Sequence, residues 1–405
     1  MKAAQIELRF SDGEILRAFE RVSLRENFID PLGSMEFTAR PPRELIQKYA
    51  NRLAKGELAS VVVNGAPQAV GLIQTVSTSG GRAGIEFQIE CQSVLATPYE
   101  ANADPTYTFS SKTDAPASSI VLDIMRPFGF QQVFANAEDD VDVKVGVKVG
   151  RRGKEKIVIE DLKTQDCQCQ ESETAYGLCD RLLNRLGVIL RVDVDGNLML
   201  CRPRYDQDVA YTLVSDFLNQ TRGNRMLDGW RIVDTNRNQF SEVCVRGERA
   251  DHGAQTSSAL PQSRVGVKPT FRPPNTPFAK IPLVELTRGR HSYKSDDSVA
   301  PYKPKFHLDK KCRDAQRATS LCKLIHGIKS KDAFVIDCTV DGWVSTEGRI
   351  WTVDTVARVV VEAIGLDANF WVLERTITLD RGEGQKTSLK LVPLNSVVIG
   401  DVPGG

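Results

Sequence analysis

The sequence predicts a mainly β fold with an α+β domain: two antiparallel β-barrels, the α+β domain between them, and an extended insertion in the second barrel. Three observations lead to this fold class. Apolar and polar residues alternate over many short segments that end at glycine, which is typical of half-buried strands joined by turns. Helical stripes of apolar residues are few. A proline-rich stretch interrupts the second set of strands.

Composition limits the class of protein. The chain has 405 residues, 41% hydrophobic and 26% charged, with a formal net charge of +1. This length predicts two to four folded domains. A charge near zero argues against a general grip on nucleic acid, although it is compatible with a channel wall that does not bind DNA. Residues 1–14 contain no apolar core of signal-peptide length and no segment approaches a membrane span, so we expect synthesis in a cytoplasm.

Residues 1–99 predict the first barrel. A strand over 5–10 opens it, and an amphipathic helix over 43–55 follows two prolines. Asn64 and Gly65 lie between two alternating segments. They predict a tight hairpin, because both positions of such a turn need a positive φ.

Residues 100–204 predict the α+β domain. One helix is expected over 118–126, and another follows the capping residues at 172–174 and ends at Gly187. Glycine is typical there because it adopts the left-handed conformation that closes a helix. A second hairpin is expected over 188–201, with Asp195, Gly196 and Asn197 in its turn.

Residues 205–250 and 331–393 predict the second barrel, and the alternation is most regular over 341–393. Residues 251–330 separate the two parts. They begin with many prolines and little periodicity and continue into an expected helix over 308–326, so we expect an extended excursion and a helix inserted in this barrel. Residues 394–405 follow as a C-terminal tail.

No sequence motif predicts a catalytic, cofactor-binding or metal site. The one cysteine cluster consists of Cys167, Cys169 and Cys179. Metal binding would need a fourth ligand and no histidine lies nearby, so reduced structural thiols are favoured and the metal stays an alternative.

Trp343, Trp351 and Trp371 lie in alternating segments. Tryptophans in this setting more often pack in a core than form a platform for a sugar, so packing is the favoured role. The alternative is a carbohydrate site that would also use loop carboxylates such as Glu100 and Asp139.

Two stretches carry a resemblance to a known family. Residues 173–203 read ETAYGLCDRLLNRLGVILRVDVDGNLMLCRP, a helix, Gly187 and a hairpin. Residues 341–393 read DGWVSTEGRIWTVDTVARVVVEAIGLDANFWVLERTITLDRGEGQKTSLKLVP, with Gly348 and Arg349 before Trp351. Together they resemble contractile-tail baseplate hub proteins, the late control protein D family that includes the hub of phage Mu. Relatives often carry a proline soon after the tryptophan, where this chain has Thr352.

The resemblance implies a structural protein without catalytic residues or cofactor. Hubs of this family are homotrimers in which each chain contributes two tube-like barrels, so that six barrels form a ring continuing the tail tube. The expected partners are further copies of the chain, the tail tube protein, the central spike protein, other baseplate proteins and, as an open option, the tape measure protein. The tail 394–405 would point toward the spike. The protein would lie in the virion baseplate, with DNA only in transit through the lumen.

We therefore expect strands of the two barrels to pair or pack edge to edge between neighbouring chains. Two alternatives stay open from the sequence. One is a tail-associated cell-wall hydrolase or carbohydrate-binding module. The other is a hub or spike component of a secretion system or of an extracellular contractile injection device.

Overall fold

The structure, a computed structural model, describes the chain with gaps. The described residues are 6–17, 19–82, 84–107, 115–143, 145–146, 162–163, 169–215, 223–235, 242–247, 278–282, 304–309, 322, 325, 333–394 and 396. The chain forms two compact units, one of residues 1–232 and 336–392 and the other of residues 233–335 and 393–405.

Strands make up most of the secondary structure. In chain order they are β1 (Ile6–Phe10), β2 (Ile15–Leu16), β3 (Phe19–Asn27), β4 (Ser34–Ala39), β5 (Leu58–Val63), β6 (Ala66–Gly81), β7 (Gly84–Ser93), β8 (Ala115–Pro116), β9 (Val133–Ala135), β10 (Asp142–Val143), β11 (Val145–Gly146), β12 (Leu162–Lys163), β13 (Ile189–Val192), β14 (Leu198–Cys201), β15 (Val209–Ser215), β16 (Asn224–Asp234), β17 (Glu242–Gly247), β18 (Phe278–Pro282), β19 (Pro304–Asp309), β20 (Phe334–Asp341), β21 (Val356–Val361), β22 (Leu366–Asp380) and β23 (Gly384–Pro393).

Four α-helices have described bounds. They are α1 (Ile46–Arg52), α2 (Ala96–Glu100), α3 (Ala117–Met125) and α4 (Ala175–Leu186). Helix α1 is shorter than the expected 43–55, because it begins with a 3-10 turn over Arg43–Leu45 and the chain turns extended at Leu53. Helix α4 ends as expected at Gly187, whose φ is 72°.

One sheet runs through the first unit in the order β2-β1-β5-β6-β7-β4-β3-β22-β21-β15-β16-β20-β23. Because β22 also pairs with β23, the last six strands close into a barrel. The seven strands before them form a curved sheet that shares an edge with the barrel. The prediction of a mainly β fold is therefore confirmed with one closed barrel, whereas the described strands of residues 6–93, where another barrel was expected, form an open sheet.

The curved sheet of residues 6–93 buries one face of every strand in a common core. Alternation directs Leu8, Leu24, Phe37 and Phe87 inward, and each is no more than 3% exposed. Tyr49 of α1 packs into the same core, so the helix covers the sheet as expected from its apolar stripe. Burial of these apolar side chains is the main stabilising term of this region.

The barrel differs from the expected antiparallel arrangement in two of its pairings. Strand β15 runs parallel to β21 and, over two residue pairs, parallel to β16. The strands β15 and β21 lie far apart in sequence, so no tight hairpin forces them to run in opposite directions. The pairings β21–β22 and β20–β23 are antiparallel as predicted.

Both predicted hairpins form. Val63 pairs with Ala66 across Asn64 and Gly65, whose φ angles are 51° and 85°. In the α+β region β13 pairs with β14, and the Asp193 carboxylate accepts the backbone N–H of Asn197 at 2.8 Å. Local turn chemistry alone determines these two features.

The second unit contains a three-stranded sheet in the order β18-β17-β19. Strand β17 was expected within the second barrel, and this is wrong, because its edges are occupied by β18 and β19. The helix expected over 308–326 does not begin at Leu308, which lies in β19. Cys322 and Ile325 are helical, whereas the rest of that prediction, most of the excursion 251–305, and Cys167 lie outside the described residues.

The two β regions of the first unit repeat one arrangement. Strands β5, β6 and β7 follow one another as neighbours, and so do β21, β22 and β23. The middle strand is long in both cases, with 16 residues in β6 and 15 in β22. Strands β4 and β20 flank β7 and β23, each antiparallel to its neighbour. The repeat is not complete, since β1 is antiparallel to β5 whereas β15 is parallel to β21.

Candidate functional site: the junction of the two β regions

The two β regions join edge to edge through β3 and β22. Residues 21–27 of β3 pair antiparallel with residues 374–380 of β22, from Arg21 opposite Asp380 to Asn27 opposite Glu374. The second half of the long strand β22 therefore belongs to both the barrel and the curved sheet. This backbone ladder makes the two regions one continuous surface.

Charged pairs cross the junction on its exposed face. The Arg25 guanidinium donates to both carboxylate oxygens of Glu374, at 2.9 and 3.2 Å, and the Asn27 amide donates to the same carboxylate at 2.7 Å. Arg21 pairs with Asp380 at 2.9 Å. These contacts set the register of the two strands, although exposed pairs each contribute only up to about 1 kcal/mol.

A buried cluster lies on the opposite face of the same ladder. The Arg375 side chain is 3% exposed and donates from Nε to Glu26 at 2.8 Å. Its Nη1 donates to the side chain of Gln68 and to the carbonyl oxygen of Trp351. Glu26 also accepts from Arg191 at 2.6 Å. Because β22, β3 and β13 supply these three charged groups, the cluster ties the barrel, the curved sheet and the α+β region together.

The two guanidinium groups determine the charge of Glu26. Desolvation of this carboxyl acts to raise its pKa, but the attraction of Arg375 and Arg191 outweighs it, and the pKa lies below the ordinary 4.5. A lowered carboxyl pKa stabilises the folded state above the unfolded pKa, and this stabilisation is lost as the pH falls through the folded pKa.

The Glu26→Gln variant should therefore be less stable than wild type at neutral pH. We expect the difference in melting temperature to be full above pH 4.5 and to shrink as the pH is lowered further, because the wild-type carboxyl then takes up its proton. Thermal unfolding of both proteins over a pH series tests this. A difference that stays constant down to acid pH would show that Glu26 is not ionised at the junction.

Asp354 organises the chain beside this cluster. Its backbone is left-handed, with φ 58°, and its carboxylate accepts the backbone N–H of Arg204 at 2.9 Å and the indole N–H of Trp371 at 3.1 Å. Burial raises the pKa of this carboxyl against the contacts with Arg204 and Trp371. The resulting loop borders a cavity of about 330 Å³ that Glu26, Arg191 and Arg375 also line. Ionic and aromatic contacts of these residues thus surround the cavity.

The three tryptophans singled out from the sequence are core residues. Trp343 is 2% exposed and donates its indole N–H to the carbonyl oxygen of Thr378 at 2.9 Å. Trp351 and Trp371 are 0% exposed. Tyr211 packs on Trp351 at a ring-centroid distance of 4.5 Å, and Phe28 packs edge-on against Trp371 at 4.9 Å. Their rings have no free face on which a sugar could stack.

The other residues of the predicted structural motif lie in turns. Gly348 has φ 78° and, with Ser345 and Arg349, closes the turn that leads into Trp351. Gly196 has φ 86° in the turn between β13 and β14. These residues shape the loops around the junction and do not converge on one site.

Most of the described cysteines are buried thiols, whereas Cys169 and Cys201 are partly exposed. Burial raises the pKa of Cys91 and of Cys338 to about 12 in each case, and it raises the pKa of Cys179 further. Within the described part of the chain, no group of three or more His, Cys, Asp and Glu side chains is placed to hold a metal ion. Cys179, a ligand only in the metal alternative, is 0% exposed in α4.

Alkylation at pH 8 should therefore spare Cys91, Cys179 and Cys338 in the folded protein and modify them in urea, since the thiolate is the reactive form and burial excludes both the thiolate and the reagent. Mass spectrometry of peptides after iodoacetamide treatment tests this. Modification of Cys179 before unfolding would contradict its burial in α4.

Sequence reasoning missed Arg375, Glu26 and Asp354. Arg375 and Glu26 are separated by 349 positions, and nothing local marks either of them. A signal did exist for Arg375. It occupies an inward position of an alternating segment, between Leu373 and Ile377, where a charged side chain needs a buried partner.

Three solved structures share this arrangement over nearly their whole length. A tail protein from Neisseria meningitidis MC58 has a TM-score of 0.70 and 17% sequence identity, with 98% of each chain covered. The chain has the fold of phage tail proteins. The 43 kDa tail protein of prophage MuSo2 from Shewanella oneidensis shares this tail-protein fold with a TM-score of 0.67 and 16% identity, over 97% of this chain and 99% of that one. The prophage tail protein gp18 from Listeria monocytogenes EGD-e follows with 0.51 and 12%, over 96% and 94%.

A family model described as the C-terminal domain of a tail protein matches residues 330–392. These residues contain β20, β21, β22 and all but the last residue of β23, so the match covers the part of the tail-protein fold that closes the barrel. No curated protein matches the chain by sequence. Within the described residues, no helix has the length and apolar character needed to cross a membrane.

Proposed function

We propose that this protein is a structural component of a phage-type tail, the hub that adapts a threefold spike to a sixfold tail tube. The observation that carries the proposal is the repeat of one strand arrangement within a single chain, with the two copies fused edge to edge by β3 and β22. A homotrimer would present six such β regions. One chain that repeats its own interface in this way can meet threefold and sixfold partners at once.

A continuous polar face supports the idea of a channel. It consists of the outward residues of the neighbouring strands β7, β4, β3, β22, β23 and β20, on the side opposite the cores. Its charged members are the carboxylates Glu36, Glu86, Glu90, Asp337, Asp341, Glu374 and Asp380 and the bases Arg21, Arg25, Lys386 and Lys390. With Arg40, which pairs with Glu86, and Arg231, which lies beside Arg25 and Glu374, acidic and basic groups nearly balance, so this face offers DNA no basic track to bind.

One pair on this face is costly for folding. Glu36 and Glu90 lie directly opposite each other on β4 and β7, and both are exposed. Like charges in this position destabilise a sheet. A role of the face in excluding a polyanion accounts for them.

The double variant Glu36→Lys, Glu90→Lys should gain DNA binding that the wild-type protein lacks. The replacement creates a basic patch beside Arg25 and Arg21, and binding should weaken steeply as salt is raised. Gel retardation of linear duplex DNA at low and high salt measures this. The matched control is Glu44→Lys, Glu362→Lys, which makes the same charge change at exposed positions off the polar face. Equal retardation by both variants would contradict a special role of this face.

The structure favours neither alternative function by a specific contact. The rings of Trp343, Trp351 and Trp371 are buried, so they cannot form the exposed aromatic surface that the carbohydrate-binding alternative requires. We propose no catalytic role. A phage tail and a related secretion or injection device would use the same architecture, with the virion baseplate as the location in the first case.

Sedimentation equilibrium of the purified chain tests the proposal. The expected result is a species of three times 44.8 kDa for the protein alone, or, with spike and tube proteins added, a heavier complex that contains three copies of this chain. A mass that stays at 44.8 kDa under all these conditions would overturn the hub assignment.

A further inference from the structure

The long strands β6 and β22 are equivalent in the two β regions, but the second half of β22 is paired on both edges, whereas residues 75–81 of β6 are paired only with β7. In β22, residues 374–380 pair with β3. In β6, the pairing with β5 ends at Leu72, and within the described residues no strand pairs with the corresponding edge of residues 75–81. This edge presents backbone N–H and C=O groups at alternate positions without a partner strand.

Strand β16 of the barrel is the equivalent of β3 in the curved sheet, and one of its edges is open. Strand β16 flanks β20 as β3 flanks β4. It pairs with β15 only at Asn224 and Arg225, so among the described residues the same edge of 226–232 lacks a partner strand. The lengths are compatible, because the β3–β22 ladder spans seven residues, β6 continues to Gly81 and β16 continues to Asp234, so each open edge can accept a ladder of that length.

We propose that the open edge of β6 over residues 75–81 receives the open edge of β16 over residues 226–232 from a second copy of this chain. This ladder would repeat between chains what β3 and β22 form within one. The two edges differ, so the contact is head-to-tail and can close into a ring. The inference rests on the proposed function in that it requires self-association, and it adds which strands meet.

The composition of the β6 edge fits addition of a strand. Residues 74–81 read QTVSTSGG, without a charge or a proline. Charged residues and prolines are the usual means by which proteins protect an open edge from pairing. Seven of these eight residues are exposed in the single chain, and Val76 is half-buried. An open, neutral and exposed edge of this length is a template for β-augmentation.

Hydrogen exchange of the full chain tests the proposal directly. We expect amides within 75–81 and 226–232 to exchange at least about tenfold more slowly in the assembled protein than in dilute monomer, because hydrogen-bonded edge amides are protected. Residues 21–27 serve as the internal control, since β22 already covers them in one chain. A trimer without protection at either segment overturns this inference and leaves the proposed function standing. A protein that never assembles overturns both.

Proline variants give an independent test. Successive N–H groups of a strand point to opposite edges, so one of Ser77→Pro and Thr78→Pro removes an N–H from the open edge and the other from the β7 ladder. The variant that removes an N–H from the open edge should weaken self-association about tenfold with unchanged circular dichroism. The variant that removes an N–H from the β7 ladder should lower the melting temperature. Ser77→Ala and Thr78→Ala, which keep both N–H groups, should behave as wild type. Wild-type assembly by both proline variants would overturn the proposal.

Discussion

The Arg375→Ala variant should lose about 3 kcal/mol of unfolding free energy, because it removes the buried half of an ion pair and leaves Glu26 with Arg191 as its one charged partner. The side chain is 3% exposed and holds Glu26, Gln68 and the carbonyl oxygen of Trp351 at once. Its loss would leave three acceptors with fewer donors in the centre of the unit. Urea unfolding followed by tryptophan fluorescence measures the change.

Arg25→Ala is the matched control. Arg25 lies on the same β3–β22 ladder and pairs with Glu374, but its side chain is 49% exposed and faces solvent. Its removal should cost less than about 1 kcal/mol. Equal losses in the two variants would show that the buried cluster does not hold the junction together.

Trp371→Ala should destabilise the protein by about 3–5 kcal/mol, the usual cost of deleting a large aromatic side chain from a core. The ring is 0% exposed and lies between Phe28 and Tyr205, at centroid distances of 4.9 and 5.3 Å. The cavity would open beside Asp354, which would also lose its indole donor. Thermal and urea unfolding measure the loss.

Trp371→Phe separates the two contributions. It keeps an aromatic ring between Phe28 and Tyr205 but removes the N–H that donates to Asp354. Because Arg204 still donates to that carboxylate, the cost should be about 1–3 kcal/mol, smaller than for alanine. A phenylalanine variant as unstable as the alanine variant would mean that the hydrogen bond, not packing, determines the role of Trp371.

Features that depend on neighbouring residues could be predicted from the sequence. The Asn64–Gly65 hairpin, the end of α4 at Gly187 and the strands β21, β22 and β23 all follow from turn chemistry and alternation, whereas residues 342–355, where alternation also predicted strand, form a loop. These features, together with the resemblance to tail hubs, were enough to predict the mainly β fold.

Features that depend on distant residues could not be predicted. Nothing in β15 shows that it runs parallel to β21, since a long stretch of chain separates the two strands. The pairing of β17 with β18 and β19 was also missed, because alternation shows that a segment is a strand but not which strand it pairs with. The cluster around Arg375 is the clearest case, as its partners come from three parts of the chain.

Electron microscopy of the assembled protein is the most direct test of the central claim, that one chain repeats a β region twice to build a sixfold ring from three copies. We expect a ring around a central channel, with six similar β densities in end-on averages and only threefold symmetry in the surrounding α+β regions. Single, unassembled particles, or closed assemblies without a channel, would contradict it.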